Sequence, residues 1–402
     1  MAMYLTAQQA ADVLGVTKAT LYAYTSRGQL RSEPVPKEPR QRHYYREDIE
    51  RLQERKEVRR DPAKAAPRGL RWGSPILESG ITLIDNGKLY YRGQDALRLS
   101  QQCTSEEVAE LLWTAETGER GRLFEQPPVL SPSHLARLSA ARKDGPLPLL
   151  QAALPLAGAV DLASYDLRPE AVRLSGARIV RLLTAVMVGP YTNAPVHRAL
   201  QALWAPKKPA AAGVIRMALV LCADHELNAS TFVARCAAAA GASPYDVVSA
   251  ALATLKGHRH GGATERLAAL FTEVAKPERA RVVIANRLRR GESVPGFGHP
   301  LYPAGDPRAA LLLKTAQAAG NKDSWRLVRH LARAGSNLLQ ARPNLDFGLV
   351  AAARAYGLPQ HAPLVLFALG RTIGWIAHAI EQYAVGELIR PRARYTGPPP
   401  AS

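Results

Sequence analysis

Residues Gly296 to Arg308 read GFGHPLYPAGDPR, with three glycines, three prolines, one histidine and one arginine in thirteen positions. Proline removes a backbone donor and glycine loosens the chain, so neither helix nor strand is expected to run through it. On either side the pattern is helical, with apolar residues at helical spacing over 278–290 before it and over 307–319, 323–336, 345–356 and 362–385 after it. A single imidazole is therefore expected on a rigid loop set between helices, where binding and reacting side chains are commonly held.

Of the 402 residues, 47% are hydrophobic and 22% charged, ordinary values for a globular protein long enough to bury a large core in two or three domains. Ala-Leu-Arg runs with only 6% aromatics favour helix over strand, and a mainly α fold is expected. The formal net charge of +19 points to anionic partners, either nucleic acid or a multiply charged small molecule. Cys103, Cys222 and Cys236 stand outside any CxxC spacing and read as buried, reduced thiols. The start, MAMYLTAQQAADVLGV, lacks the basic opening and apolar run of a signal peptide, and no segment offers about 18 uninterrupted apolar residues. A cytoplasmic protein that meets no membrane is the expectation.

Leu5 to Gly15 (LTAQQAADVLG) reads as a helix capped by Thr6, and VTKATLYAYTSRG as a second, capped by Thr17 and closed by Gly28. Two short helices around a glycine form a helix-turn-helix layout. A basic, proline-broken loop (RSEPVPKEPRQR) leads to HYYREDIERLQERK, an aromatic strand followed by a helix begun near Asp48. Residues 1–56 resemble the winged helix-turn-helix of MerR-type and excisionase-type regulators, in which a basic wing precedes an R-x-Y-x-x-x-D-I-x-x-L helix. The resemblance implies that Lys18, Thr20, Tyr22 and Arg27 enter the major groove of DNA while Arg40, Arg42 and Arg46 neutralise phosphates. Residues 1–68 carry 14 Lys and Arg against 9 Asp and Glu, about +5 of the total, and a module that packs against other protein is the alternative reading. Residues 57–69, inside the charged run ERKEVRRDPAKAAPRG, read as a linker.

The body, residues 70–402, opens on two β-branched runs around Asp85-Asn86-Gly87, a hairpin signal, and then turns helical. It has no GxGxxG and no P-loop, which argues against a nicotinamide dehydrogenase and a nucleotide hydrolase. Four histidines lie in glycine-rich or polar settings: His225 in DHELNAST, His258 and His260 in GHRHGGATE, and His299 in the opening stretch. Zinc needs three well-placed protein ligands, and neither HExxH, a cysteine cluster nor a third ligand accompanies HRH, so no metal is expected. A helix that stops at Gly257 explains the run better, with the two glycines after His260 letting a ligand approach the backbone. Asp346, in PNLDFG, stands at the start of a helix in an apolar setting. Alone it reads as a helix cap; with histidines converging on it, a desolvated carboxylate of raised pKa becomes a general base.

Taken in order, LYYRGQDALRLS, DHELNAST, LKGHRHGGATE, PGFGHPLYPAGDPR, PNLDF, GRTIGWIAH and IRPRARYTG resemble citrate synthase from about Leu70 to Gly397, closely over 220–397 and loosely over 115–215. The resemblance implies an all-α body of a large and a small subdomain, the latter within 220–345, that pairs as a homodimer. It implies oxaloacetate and acetyl-CoA as substrates, with no permanently bound cofactor. Asp346 then matches the base that takes a proton from the acetyl methyl group, His260 the neutral donor to the thioester oxygen, and His299 the group that polarises the ketone. Arg308, Arg371 and Arg390, with His225, match carboxylate-binding positions, for which arginine supplies planar, permanent charge.

Two departures bear on coenzyme binding. Pro303 stands where relatives carry a basic side chain, and GHRHGGATE replaces the common GPxHGGANE, with Thr264 in place of asparagine and Arg259 added beside the site. Arg259 is expected to supply the charge that Pro303 lacks. Condensation of propionyl-CoA to 2-methylcitrate needs the same three residues. A metabolite-sensing DNA-binding regulator on the same scaffold is the rival of a different class.

Overall fold

The chain divides into two units, Met1–Glu78 and Ser79–Ser402. The computed structural model describes residues 4–35, 38–46, 48–49, 52–53, 77–115, 122–140, 145–189, 191–319, 321–393 and 395–398. In the first unit Thr6 and Gln9 cap each other reciprocally at the start of α1 (Ala7–Leu14), and Gly15, at a φ of 58°, ends that helix. Thr17 caps α2 (Lys18–Ser26) by accepting from the Thr20 N–H. Three strands, β1 (Tyr4–Thr6), β2 (Ser32–Val35) and β3 (Glu38–Tyr45), form an antiparallel sheet in the order β1-β3-β2, with Leu5 opposite Tyr44 and Pro34 opposite Arg42. Leu5, Ala10, Leu14, Leu21, Leu30, Tyr44 and Ile49 form its core. Asp48 is buried and accepts from the backbone and guanidinium N–H groups of Arg31 at 2.8 to 2.9 Å. The linker expected over 57–69 lies outside the described residues, as does most of the helix expected after Asp48.

The second unit starts with β4 (Thr82–Asp85) and β5 (Lys88–Tyr91), paired across Asn86 and Gly87, both at positive φ, as a tight hairpin requires. After the short β6 (Gln94–Asp95) the described elements are helices joined by loops, as the composition leads one to expect. The first run of helices is α3 (Ala96–Gln102), α4 (Ser105–Thr114), α5 (Pro132–Ala140), α6 (Pro146–Gly158), α7 (Pro169–Val188), α8 (Val196–Trp204) and α9 (Ala211–Cys222). There follow α10 (Ala229–Ala239), α11 (Pro244–Leu255), α12 (Ala263–Val274), α13 (Ala280–Arg289), α14 (Pro307–Ala318), α15 (Lys322–Leu339), α16 (Leu345–Tyr356) and α17 (Ala362–Val385).

Two apolar cores form in this unit. The larger takes residues from α3 to α11 and from α17; the smaller runs from Leu267 to Ala351 and is built by α12, α13, α15 and α16. Sequence reading places the smaller subdomain approximately within 220–345; in that range α10 and α11 take part in the larger core, both packed on α17 and α11 also on α6. Helix α16 is shared, with Leu345, Leu349 and Ala352 in the larger core and Phe347, Val350 and Ala351 in the smaller. Asp346 therefore sits at the start of the element that joins the two.

Helix α17 has the length and apolar composition to cross a bilayer, with a mean hydropathy of 1.4 over its 18-residue window, yet that window is 100% buried within the protein. It packs closely because of its glycines. A Cβ on Gly370 meets the Leu219 carbonyl at 2.5 Å, and one on Gly374 runs into the Ala223 carbonyl and Asp224. Gly374→Ala is expected to destabilise the protein by about 1–3 kcal/mol through overpacking, measured as a lower urea midpoint at unchanged slope.

Candidate active site

The opening stretch carries one β-bridge, Phe297 to Pro343, and no helix before Pro307. Gly296 and Gly298 adopt φ of 90° and 76°, conformations open to glycine, and their backbone runs along residues 342–344. Gly298 N–H donates to the Arg342 carbonyl at 2.8 Å, Asn344 N–H to that of Gly296 at 3.0 Å, and Asn344 Nδ2 to that of Gly298 at 3.2 Å. Asn344 also caps α16. Asp306 caps α14 and, through Oδ2, accepts the Leu345 N–H at 3.0 Å. The loop that carries His299 and the helix start that carries Asp346 are thus stitched together.

His299, His225 and Tyr302 form a tight aromatic cluster. The ring centroids of His225 and His299 lie 5.0 Å apart and nearly perpendicular, and Tyr302 lies 5.0 Å from His299 and 5.6 Å from His225. Tyr302 Oη is 3.0 Å from His225 Nε2. Burial, followed by the Arg308 charge, lowers the His299 pKa to about 4, and burial with Arg308, Arg371 and His299 holds that of His225 well below the usual imidazole value. Both rings are neutral near pH 7. Since His299 Nδ1 accepts the Leu301 N–H at 3.2 Å, its neutral ring carries the proton on Nε2. Burial pushes the Tyr302 hydroxyl up to about 12, so it too stays protonated.

His260 lies on the turn that follows α11. Its Nε2 is 2.8 Å from Ser230 Oγ, and its ring stands edge-on to Phe367 at 5.7 Å. Burial, then the Arg371 charge, lowers its pKa to about 3.

Two buried arginines face these rings, and their settings differ. Arg308 is paired with Asp306 through Nε at 2.9 Å and Nη2 at 2.8 Å, and its guanidinium lies 5.3 Å from the Tyr302 ring centroid. Arg371 is 2% exposed, donates from Nε to the Cys222 carbonyl at 2.7 Å, and has no carboxylate at ion-pair distance among the described residues. A buried cation without a paired acid is costly unless an anion joins it. Asp346 is half-buried, but its Oδ1 is shut off from water and accepts no hydrogen bond among the described residues. Burial pushes its carboxyl up to about 7, with Arg308 opposing, Asp306 reinforcing and Arg371 opposing. One carboxyl able to take a proton at neutral pH thus shares a field with three neutral imidazoles and two buried guanidiniums.

Residues 69–392 match the family model described as citrate synthase, C-terminal domain. The chain belongs to the citrate synthase family. It is 31% identical over 361 residues to "Citrate synthase 2" of Bacillus subtilis (strain 168), covering 83% of this chain and 96% of that one. To "2-methylcitrate synthase 2" of Corynebacterium glutamicum it is 29% identical over 346 residues, 78% of this chain and 90% of that one. Among solved structures, citrate synthase of Thermoplasma acidophilum, in a ternary complex with carboxymethyl coenzyme A and oxaloacetate, superposes with a TM-score of 0.72 at 25% identity, covering 83% of this chain and 97% of that one. Residues 4–57 match a helix-turn-helix domain model.

For this citrate synthase family chain, the structure gathers His225, His260, His299, Arg308, Asp346 and Arg371 through shared neighbours. It leaves Arg390 exposed beyond α17, and Arg259 exposed on the turn beside His260. In the first unit, Lys18, Tyr22 and Arg27 are exposed on or just after α2, Thr20 Oγ1 is held by Thr17 Oγ1 at 3.0 Å, and Arg42 is tied back to Ser32 at 2.8 to 2.9 Å. Arg46 is half-buried; the Arg40 side chain lies outside the described residues. Sequence reasoning did not single out Ser230, Tyr302 or Asp306. Only Asp306 left a signal, as the acid before Pro-Arg at a helix start. A cavity of about 630 Å³ at the far end of α16, bordered by Leu327, Val350, Arg354 and Pro363, includes none of the gathered residues.

A carboxyl whose folded pKa lies above its unfolded value loses stability as pH rises from the unfolded pKa through the folded one, here from 3.8 to about 7. Asp346→Asn is accordingly expected to raise the melting temperature more at pH 8 than at pH 4, as followed by thermal melts at both.

Proposed function

We propose that the second unit condenses acetyl-CoA with oxaloacetate and hydrolyses the product thioester, giving citrate and free CoA. The observation that supports this is the Asp346 carboxyl, with a buried Oδ1 that accepts no hydrogen bond among the described residues, under the charges of Arg308 and Arg371, which also act on the neutral His299 and His260. The acetyl methyl group is a very weak acid, so removing its proton needs a base and, at the same moment, a donor to the developing enolate oxygen. Asp346 takes the proton and a His260 N–H meets the oxygen. The enolate carbon attacks the oxaloacetate ketone, whose oxygen takes the proton from His299 Nε2 as the carbon–carbon bond forms. Water then cleaves the citryl thioester and CoA leaves. Arg371, Arg308 and His225 hold the oxaloacetate carboxylates. Closure of the smaller subdomain over the larger excludes water until the bond has formed. A homodimer is part of this reading: exposed in a single chain, Arg390 gains little from a carboxylate in water and serves one only where a second surface covers it.

The similarity to a 2-methylcitrate synthase keeps propionyl-CoA as a second acyl donor. One methylene in an apolar pocket separates the two by about 1–3 kcal/mol, and rates of thiol release with each thioester decide between them. The helix-turn-helix match supports DNA binding by the first unit through Lys18, Thr20, Tyr22 and Arg27. A dimer presents two such units, so an inverted repeat is the expected target. A gel shift at stated salt, with and without oxaloacetate, tests whether it also senses the substrate.

Wild-type chain is expected to release free thiol only when both substrates are present, with kcat/KM rising as pH increases through about 7, because the base must be deprotonated. Asp346→Ala abolishes turnover yet leaves oxaloacetate binding by calorimetry intact; retained turnover refutes its role as base. Arg259→Ala is expected to raise KM for acetyl-CoA several-fold with KM for oxaloacetate unmoved, and an unchanged KM for acetyl-CoA removes Arg259 from the coenzyme site.

A further inference from the structure

We propose that Trp375 and Asn228 are positioning residues that, through the hydroxyl of Ser230, decide which ring nitrogen of His260 carries its proton, and so link the oxaloacetate side of the site to the thioester side. The inference rests on the reading of His260 as donor to the thioester oxygen. The indole N–H of Trp375 can only donate; it reaches Ser230 Oγ at 3.2 Å and holds that side chain toward His260. Ser230 is left with one proton for two neighbours, Asn228 Oδ1 and His260 Nε2, each at 2.8 Å. When the proton points to Asn228, the neutral ring must donate from Nε2 to Ser230, and Nδ1 is bare. When it points to His260, Nε2 accepts and the ring proton sits on Nδ1.

Ser230 is the hydrogen-bond partner of this ring among the described residues, so Nδ1 is the nitrogen left for a substrate. Only the second arrangement lets a neutral His260 donate to a thioester oxygen. The arrangement in the structure is the first, because Asn228 Oδ1 can only accept and a 2.8 Å contact needs a proton between two oxygens. Asn228 is also bound to the loop that presents His225. Its Nδ2 donates to the carbonyls of His225 at 3.4 Å and Glu226 at 3.3 Å, while Oδ1 also accepts from Thr231 N–H at 3.3 Å. A dicarboxylate that binds at His225 and draws Asn228 away from Ser230 lets the hydroxyl turn and donate to Nε2. The ring gives its Nε2 proton to water and takes one from water at Nδ1, Ser230 keeps its own proton, and the neutral His260 becomes a donor for the second substrate.

The test is nitrogen-15 NMR of the His260 ring in the full chain, with and without oxaloacetate, beside thiol-release kinetics with acetyl-CoA. In wild type, oxaloacetate is expected to move the ring proton from Nε2 to Nδ1. Trp375→Phe keeps a flat apolar ring and removes the donor; kcat should fall about ten-fold, the size of one net hydrogen bond, with KM for oxaloacetate within about two-fold. Ser230→Ala should leave the tautomer indifferent to oxaloacetate, and adding Trp375→Phe to it should cause little further loss of kcat. A tautomer that oxaloacetate does not change in a chain that turns over overturns the proposal, as does full additivity of the two substitutions. If Trp375→Phe does not fold, Ser230→Ala carries the tautomer comparison. A wild-type chain that binds oxaloacetate without releasing thiol defeats the condensation reading alone, because the NMR comparison still decides the switch.

Discussion

The four hydrogen bonds accepted by the Asp306 carboxylate are the constraint on which the site is built. Oδ1 takes the backbone N–H of Arg308 at 3.0 Å and its Nε at 2.9 Å; Oδ2 takes its Nη2 at 2.8 Å and the Leu345 N–H at 3.0 Å. A carboxylate buried to 3% exposure is tolerable because its acceptor positions are used and a guanidinium cancels its charge. Burial works against the ionised form, but Arg308 wins and holds the Asp306 carboxyl below the usual range. One side chain thereby fixes the charge of the site, the start of α14 and the start of α16. It also sets Asp306 apart from Asp346, which lacks such donors and is pushed the other way. Two aspartates a short distance apart in the fold end with opposite protonation habits for reasons of local donor supply.

The same economy of donors governs the imidazoles. Burial disfavours a charged ring, and Arg308 and Arg371 add repulsion, so His225, His260 and His299 stay neutral and keep one N–H and one lone pair each. Which nitrogen holds the proton is then a matter of neighbours, Leu301 N–H for His299 and Ser230 for His260. Helix α17 sets these neighbours at one-turn intervals along its length. Arg371 donates to the Cys222 carbonyl, Trp375 to Ser230, and His378 lies 3.4 Å from Asp224, the residue before His225. The β4–β5 hairpin holds the same loop from the other side, where the Tyr91 hydroxyl donates to the carbonyls of Val220 at 3.0 Å and Asp224 at 3.1 Å.

What could be read from the sequence follows from this division of labour. His260, His299, Asp346, Arg308 and Arg371 stand in frames of glycine and proline, which leave a strong mark because few backbones tolerate them; the positive φ values of Gly296 and Gly298 are the physical content of that mark. The hairpin at Asn86-Gly87 was legible for the same reason. Ser230 and Tyr302 were not, since they meet His260 and His225 from 30 and 77 residues away and no local spacing encodes such contacts. Nor does an amphipathic helix state which core it will join; that α10 and α11 take part in the larger one is visible only in the fold. Arg390 has a legible motif, yet its exposure shows that a motif fixes residue type and leaves company undetermined.

The charge of the chain is best understood through the second unit. Residues 1–68 account for only about +5 of the net +19, so most of the positive field belongs to the body. On the proposed reading, in which both substrates are anions, that field raises the encounter rate and is felt over roughly 8–10 Å at ordinary salt. Long-range attraction of this kind does not choose among anions. On that reading the choice is made where water is excluded, at Arg371, with no carboxylate at ion-pair distance among the described residues, and at Arg308, already half committed to Asp306. A protein can carry a generalised basic surface and still be selective, provided the few cations that decide binding are buried and differently paired. By the same reasoning, overall basicity says little about DNA: on the proposed reading, the specificity of the helix-turn-helix comes from the handful of side chains exposed along α2.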